Sequence, residues 1–386
     1  MPQHFDDAEF AARQKQAVHA IAEAGLDALL IFAPESQYWL CGYDTFGFAM
    51  FQCLVLTRSG DLHLLTRLPD RQQARFTSTL SEDQIHIWQE AEGRNPTEDL
   101  WALLSELGVV AGNLGYESRT VGLTDFNGQR LRARLPGLTD HSDLIAALRR
   151  VKSPAEIAMH RRAAALADDA MDAGLDVTRP GAFEGDILAE MQGAVFRGGG
   201  DYAGNEFILG SGAGALLVRY YSGRRHLAAQ DQMTWEWAGA YARYHAAMMR
   251  TVVIGAPSPR QERMHAAARD ALEACEGAIR PGSAMGDVYA AHARSFDRAG
   301  FAHAKMQACG YGMGAIYNPI WVDFPMFYEG NPLAMQTGQV FFLHMILVDN
   351  DEGLAMSLGH SVLVTDTGVE RLSRQSLDLL VRKAEV

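Results

Sequence analysis

The sequence of 386 residues lacks long hydrophobic runs and an obvious export signal. One of its longest apolar runs, LDALLIFA at residues 26–33, is far shorter than the roughly 20 apolar residues that a membrane-spanning helix needs. The beginning, MPQHFDDAEF, is acidic and lacks the basic-then-apolar order of a secretory signal. We therefore expect a cytoplasmic protein with no membrane partner.

Cysteine and positive charge are also scarce. The 34 basic residues are outnumbered by 47 acidic ones, and the net charge of −13 would repel a polyanion. No nucleic-acid partner is expected. The few thiols show no CxxC or zinc-like spacing, which predicts small buried hydrophobes without a disulfide framework: Cys41, Cys53, Cys275 and Cys309.

The sequence pattern changes near residue 150. Before it, short apolar runs alternate with helical segments, and Ser59-Gly60-Asp61 marks a hairpin turn. This order predicts an α/β domain over residues 1–148. Next, Ser153-Pro154-Ala155-Glu156 is a capping box that should begin a long helix reaching about Met171, with Gly174 placed to end it. A second domain is expected over residues 149–386.

An internal repeat lies in this second part. The pattern RPGxxxGD followed by Ile or Val occurs at residues 179–187 and again at 280–288. Two related half-domains would give an α+β domain with internal pseudo-twofold symmetry and a cleft between the halves. Coincidence between two common helix-start patterns is the alternative.

Two glycine-rich stretches superficially resemble phosphate-binding loops. They are GSGAG at residues 210–214 and CGYGMG at residues 309–314. Neither precedes a clear helix with an acidic residue about twenty positions later, as dinucleotide binding requires. Both stretches are therefore predicted to be tight turns, and no cofactor is expected.

Several motifs together resemble the pita-bread superfamily, which includes methionine aminopeptidases, Xaa-Pro dipeptidases, creatinase and ectoine hydrolase. They are RVKSPxEI from residue 150, FILGSG from residue 207, the Arg250-Thr251 pair, and HSVLVTDTGVERLS from residue 360. The resemblance covers nearly the whole chain and implies a creatinase-type N-terminal α/β domain followed by a pita-bread catalytic domain. It also implies a homodimer.

The metallopeptidases of this superfamily hold two metal ions through two aspartates, one histidine and two glutamates, a set suited to hard divalent ions. Matching the surrounding motifs places non-acidic residues at all five positions: Trp237, Ala247, Tyr311, His344 and Gly359. A shift of one residue would put Glu236 at the first position. One carboxylate is too few for two ions, so the sequence predicts a metal-free site.

The metal-free relatives creatinase and ectoine hydrolase cleave carbon–nitrogen bonds in small molecules that carry carboxylates. The stretch from Glu236 to Thr251 resembles ectoine hydrolase, in which the residue matching Glu236 is the proposed nucleophile. Glu236 also lies in the apolar strand MTWEWAGA, where a carboxylate is costly to bury unless it is paired or reactive. Pairing with Arg250 or another arginine is the purely structural alternative.

Further candidates follow from the same resemblance. Arg219 occurs where creatinase and the peptidases have a catalytic histidine, and its guanidinium is suited to binding a substrate carboxylate. The catalytic candidates beside Glu236 are His245, His344 and Tyr311. The substrate-binding candidates are Arg219, His226, Trp237, Tyr244, Asp323 and His360, together with Asp44 and Phe46 from a loop that closes the partner's site in these families.

The sequence thus favours a metal-independent hydrolase of a non-peptide carbon–nitrogen bond in a small amidine, amide or betaine-like solute. The alternatives are a metal-dependent Xaa-Pro dipeptidase, a catalytically silent small-molecule-binding protein and a lyase acting on a zwitterionic solute. Which residue is the general base stays open, because Arg219 replaces the usual histidine. His226, His245 and His344 supply the available imidazoles.

Overall fold

The chain divides between Arg149 and Arg150 into two units, Met1–Arg149 and Arg150–Val386. The structure, a computed structural model, describes residues 3–219 and 223–383. Within these ranges, no helix combines the length and apolar character that crossing a membrane would require. The cysteines are free and buried, as the sequence predicted.

The first unit is built around one mixed sheet. Its helices are α1 (Asp7–Glu23), α2 (Pro34–Cys41), α3 (Arg71–Thr77), α4 (Pro96–Glu106), α5 (Asp125–Arg134) and α6 (Asp143–Arg149). Its strands are β1 (Ala28–Ile31), β2 (Cys53–Thr57), β3 (Leu62–Arg67), β4 (Ile85–Trp88), β5 (Leu114–Tyr116) and β6 (Thr139–Asp140), in the sheet order β4-β3-β2-β1-β5-β6.

Apolar residues on both faces of this sheet account for the continuous hydrophobic runs in the sequence. Leu29 and Ile31 of β1 pack into one buried cluster, whereas Ala28 and Leu30 pack into another. The predicted hairpin joins β2 and β3, and its Gly60 has a φ of 97°, which a residue with a side chain adopts only with strain. The prediction of an α/β domain is confirmed.

The second unit places paired helices against a larger sheet. The helices are α7 (Pro154–Val177), α8 (Glu184–Arg197), α9 (Pro259–Ala278) and α10 (Met285–Arg298). The strands are β7 (Ile208–Ser211), β8 (Asp231–Tyr241), β9 (Tyr244–Ile254), β10 (Ala308–Gly312), β11 (Asp323–Tyr328), β12 (Val340–Asp349), β13 (Leu354–Val364), β14 (Val369–Arg371) and β15 (Leu380–Arg382).

The predicted internal repeat is visible in this element order. Two helices followed by β7, β8 and β9 form one half, and two helices followed by β10, β12 and β13 form the other. The sheet order β11-β10-β12-β13-β9-β8-β7 brings the halves together through the antiparallel pair β13–β9. The repeated RPG turns precede α8 and α10, which are both 14 residues long.

Two local predictions are wrong. The helix α7 begins at the predicted capping box, but it continues through Gly174 to Val177. A Cβ at Gly174 would lie 2.7 Å from Cγ of Met191, so this glycine allows close packing between helices and does not end one. Similarly, CGYGMG is not a tight turn, because residues 309–312 belong to β10, and Gly310 packs against the carbonyl oxygen of Phe342.

We expect Gly174→Ala to lower the free energy of unfolding by about 1–3 kcal/mol, because the new methyl group overpacks the contact with Met191 and Trp235. Gly277→Ala in α9 is the matched control: a Cβ there meets nothing within 4 Å, and alanine should stabilise the helix by up to about 1 kcal/mol. Urea unfolding of both variants checks the pair. Equal effects at the two positions would contradict this packing role for Gly174.

Candidate active site

A cavity of about 200 Å³ lies in the second unit, over the strands of both halves. Its polar wall combines one carboxylate, one guanidinium, one imidazole, one phenol and one amide with apolar residues. The residues lining it include Asn205, Ile208, Arg219, Glu236, Met306, Tyr311, Ile320, Trp321, Met326, His344 and Ile346. The cavity therefore contains several of the candidates that the sequence singled out.

Strand register explains how distant residues reach this wall. Glu236 on β8 pairs with Met249 on β9, Met249 pairs with Gly359 on β13, and Gly359 pairs with His344 on β12. Directly paired residues project from the same face of a sheet. On the next strand, Tyr311 pairs with Phe342, two residues from His344 and on the same face. The two repeats thus contribute Glu236 and His344 to one row.

Glu236 is the carboxylate of this wall. Burial raises its pKa from 4.5 to about 7, and the nearby Arg219 charge and a hydrogen bond with Tyr311 only partly oppose that effect. Arg250 does not hold Glu236, because its guanidinium donates to the carbonyl oxygens of Met249 and Gly359. A carboxyl group with a pKa near 7 changes between acid and base with little cost at neutral pH.

Tyr311 connects Glu236 to Trp321. The indole Nε1 of Trp321 donates a hydrogen bond of 2.8 Å to the phenolic oxygen of Tyr311. The indole can donate a hydrogen bond but cannot accept one. The hydroxyl proton of Tyr311 therefore points away from Trp321 and can be donated to Glu236. Burial, followed by the proximity of Glu236, raises the pKa of Tyr311 well above its usual value. Tyr311 therefore acts as a neutral hydrogen-bond donor near pH 7.

His344 and Arg219 complete the polar wall. Burial lowers the pKa of His344 to about 4, and Arg219 contributes to this shift, so the imidazole is neutral at pH 7. Its Nδ1 is buried without a hydrogen-bond partner among residues 3–219 and 223–383. Arg219 itself is exposed. Its guanidinium can therefore reach a ligand without prior loss of a buried partner.

Three candidates that the sequence placed near Glu236 make hydrogen bonds to other parts of the protein outside the cavity. The side chain of Trp237 lies on the opposite face of β8, where its Nε1 donates to the carbonyl of Ala167 at 2.8 Å. The Tyr244 hydroxyl donates to Oε1 of Glu156 at 2.7 Å. His245 is fully buried outside the cavity, and its Nε2 accepts the amide of Gly204 at 2.8 Å. None of the three side chains lines the cavity, and their assignments to catalysis or substrate binding stay predictions.

Three further candidates also lie outside the cavity. His226 is exposed and its Nδ1 lies 3.1 Å from the carbonyl oxygen of Gly181, while Asp323 follows two residues of the wall without lining it. His360 is buried on the helix side of β13, 2.7 Å from Oε1 of Glu276. Burial opposes ionisation of Glu276, but hydrogen bonds from His360 and Arg371 outweigh it and lower its pKa to about 2. This buried cluster stabilises the fold.

Asp44 and Phe46 belong to the first unit. The backbone amide of Asp44 donates to Oγ1 of Thr77, and its carbonyl accepts a hydrogen bond from Gln73. Phe46 is 85% exposed, which is unusual for a phenylalanine. Their predicted role at a partner's site stays a prediction.

Sequence reasoning missed Trp321 and Asn205. Trp321 is almost fully buried, and its backbone amide donates to Oδ1 of Asn205 at 3.1 Å. Both lie in irregular segments without periodicity, 116 residues apart. Only the tryptophan beside a proline-containing loop, NPIW at residues 318–321, distinguished this part of the sequence.

The donor set does not fit two divalent ions. Of the five positions matched to family ligands, Ala247 and Gly359 have no side-chain donor, and Trp237 faces away. Glu236 occupies the cavity face in its place, beside the positive charge of Arg219. Two closely spaced ions need bridging carboxylates. Among the described residues, no three histidine, cysteine, aspartate or glutamate side chains converge in a way that could hold a metal ion.

Sequence comparison identifies both parts of the chain. Residues 158–366 match metallopeptidase family M24, and residues 13–151 match the creatinase/prolidase N-terminal domain. The ectoine hydrolase of Halomonas elongata is 28% identical over 399 residues, covering 98% of each chain. An uncharacterised hydrolase/peptidase of Sinorhizobium fredii, y4tL, is also 28% identical, over 396 residues and 98% of each chain.

Solved structures share the fold. Dipeptidase PepE from Mycobacterium ulcerans superimposes with a TM-score of 0.85 at 24% identity, covering 98% of this chain and 99% of that one. The Xaa-Pro dipeptidase from Bacillus anthracis gives a TM-score of 0.83 at 18% identity, covering 96% and 99%. The predicted pita-bread architecture is confirmed.

The pKa of Glu236 generates a stability prediction. Because the folded state holds this proton up to about pH 7 and the unfolded state only to about pH 4.5, Glu236 stabilises the fold least above pH 7. Glu236→Gln should therefore gain stability relative to wild type between pH 4.5 and 8, by up to about 3 kcal/mol. Thermal unfolding across this range measures the difference.

The control for this stability prediction is Glu276→Gln. The pKa of Glu276 is shifted in the opposite direction from that of Glu236, so the pH dependence of its effect on stability has the opposite sign. The pKa of Glu276 is lowered, so its carboxylate stabilises the fold above about pH 4.5 and loses that effect as the pH falls toward 2. The deficit of Glu276→Gln should shrink on acidification. A difference between Glu236→Gln and wild type that does not change with pH would contradict the raised pKa of Glu236.

Proposed function

The chain belongs to metallopeptidase family M24 and its relatives support hydrolase activity; from that premise we propose a metal-independent hydrolase of a non-peptide carbon–nitrogen bond. The substrate is a small amidine, amide or betaine-like solute that carries a carboxylate. The observation that carries the proposal is Glu236, a carboxyl group with a pKa near 7 in a cavity whose donor set is unsuited to a metal pair.

The cavity supports a small, polar substrate. Its volume of about 200 Å³ lies below the 300–1,000 Å³ typical of sites for drug-sized ligands. Arg219 provides a planar, two-pronged site for a carboxylate, and apolar residues such as Ile208 and Ile346 exclude water around the reacting bond. The relative from Halomonas elongata, an ectoine hydrolase, supports the same class of solute.

Glu236 has two possible chemical roles in this hydrolysis. As a base, its carboxylate accepts a proton from water while the water oxygen attacks the carbon, and the departing nitrogen then receives that proton. As a nucleophile, a carboxylate oxygen forms the new bond to carbon while the carbon–nitrogen bond breaks and the nitrogen takes a proton from a water molecule; the hydroxide left by that water then cleaves the covalent intermediate and restores the carboxylate. Tyr311 donates a hydrogen bond to the carboxylate in either case.

The enzyme in this proposal is a cytoplasmic homodimer. Phe46, exposed in the single chain, then packs beside the partner's site with Asp44. Burial of an exposed aromatic side chain would contribute to association.

Glu236→Gln should lower kcat by roughly 10²–10⁴-fold, because glutamine can neither accept the proton nor attack the carbon. For the wild type, kcat/KM should rise as the pH passes about 7, since the ionised form of Glu236 is the active one. Ring opening or cleavage of ectoine, hydroxyectoine, creatine and related solutes provides the assay. The exposed Glu206 supplies the control, Glu206→Gln, with near wild-type rates. Full activity in Glu236→Gln would refute the assignment.

The metal content gives an independent test. We expect elemental analysis of dialysed protein to find no stoichiometric manganese, cobalt or zinc, and chelators to leave the activity unchanged, because the described residues of the cavity offer too few anionic donors. Cleavage of an Xaa-Pro dipeptide that metal stimulates and chelators abolish would instead identify a dipeptidase. Tight binding of a solute by calorimetry without turnover over many hours would indicate a binding protein.

A further inference from the structure

We propose that Trp321 is a positioning residue for the proposed reaction, and that it directs the Tyr311 proton at Glu236 through a chain of hydrogen bonds. The chain begins at His245 and passes through the Gly204–Asn205 segment before it reaches Trp321. This inference rests on the proposed role of Glu236 and assigns a function to residues that touch neither the reacting bond nor a metal.

The first hydrogen bonds of this series fix the backbone around Trp321. Nε2 of the buried His245 accepts the Gly204 amide at 2.8 Å, and Oδ1 of Asn205 accepts the Trp321 amide at 3.1 Å. A Cβ at Gly204 would lie 3.2 Å from the backbone of Ile320 and Trp321, so the two segments are in close contact. Burial lowers the pKa of His245 to about 4, which keeps Nε2 an acceptor at neutral pH.

The second part fixes the proton of Tyr311. A phenol rotates freely about its C–O bond unless its oxygen accepts a hydrogen bond from a fixed donor. The Trp321 indole is buried, donates only, and lies 2.8 Å from the Tyr311 oxygen. This contact both orients the Tyr311 proton and strengthens its donation, because linked hydrogen bonds polarise one another. The ionised form of Glu236 is thereby stabilised.

Trp321→Phe should therefore move the rising limb of kcat/KM to higher pH by roughly half a unit to one unit, the equivalent of one hydrogen bond. Tyr311→Phe should produce a shift at least as large, and Trp321→Phe should add nothing when Tyr311 is already phenylalanine. That absence of additivity would show that Trp321 acts on Glu236 through Tyr311. A loss of rate without a shift of the pH profile would mean that Trp321 only packs.

Trp235→Phe is the matched control. Trp235 is equally buried and lies on the same strand as Glu236, but on the face toward α7, and its Nε1 has no hydrogen-bond partner among the described residues. The same substitution there removes a similar volume and an indole N–H that makes no hydrogen bond to the described residues, so no hydrogen bond is lost. We expect its pH profile to match that of the wild type, and an equal shift in Trp235→Phe and Trp321→Phe would overturn the inference.

A second readout separates this inference from the proposed function. The Glu236 carboxyl can be titrated by NMR with ¹³C-labelled glutamate in full-length protein, with its signal assigned from Glu236→Gln. A raised Glu236 pKa in Trp321→Phe but not in Trp235→Phe supports the positioning role even if no substrate is turned over. If instead turnover requires Glu236 but its pKa is the same in both variants, the proposed function stands and the positioning role is refuted.

Discussion

The antiparallel pairing of β13 with β9 is the contact on which the candidate site depends. It joins the two repeats and aligns Met249 with Gly359, and the neighbouring pairs extend this row to Glu236 on one side and His344 on the other. Arg250 reinforces the junction, since its buried guanidinium donates to the carbonyl oxygens of Met249 and Gly359. Without this register, the carboxylate and the imidazole would not share one cavity.

The half-buried Glu236 and the buried Glu276 show how partners decide the behaviour of a carboxyl group. Glu276 receives hydrogen bonds from both His360 and Arg371, which outweigh the cost of burial and keep it ionised. Glu236 has the charge of a nearby guanidinium and a hydrogen bond with a phenol, which offset only part of that cost. The first arrangement stabilises the fold, whereas the second leaves a proton that exchanges near neutral pH.

The cavity surrounds Glu236 with polar side chains of which only Arg219 is charged near pH 7. His344 and Tyr311 are both held uncharged near pH 7, one by a lowered pKa and the other by a raised pKa. The formal charges of the described polar wall are thus those of Glu236 and Arg219. A cation bound in the cavity would meet the positive charge of Arg219 as well as the carboxyl of Glu236.

The sequence alone determined the two-part fold, the repeat and the choice of Glu236 as a candidate, because these depend on local signals: the capping box at Ser153, the RPG turns and an acid within an apolar strand. It could not decide which face of a strand lines the cavity. A shift of one residue reverses the face, so motif matching selected Trp237 where the structure places Glu236. The contacts of His245, His360 and Trp321 also needed the tertiary structure, since their partners are more than 40, 80 and 110 residues away in sequence.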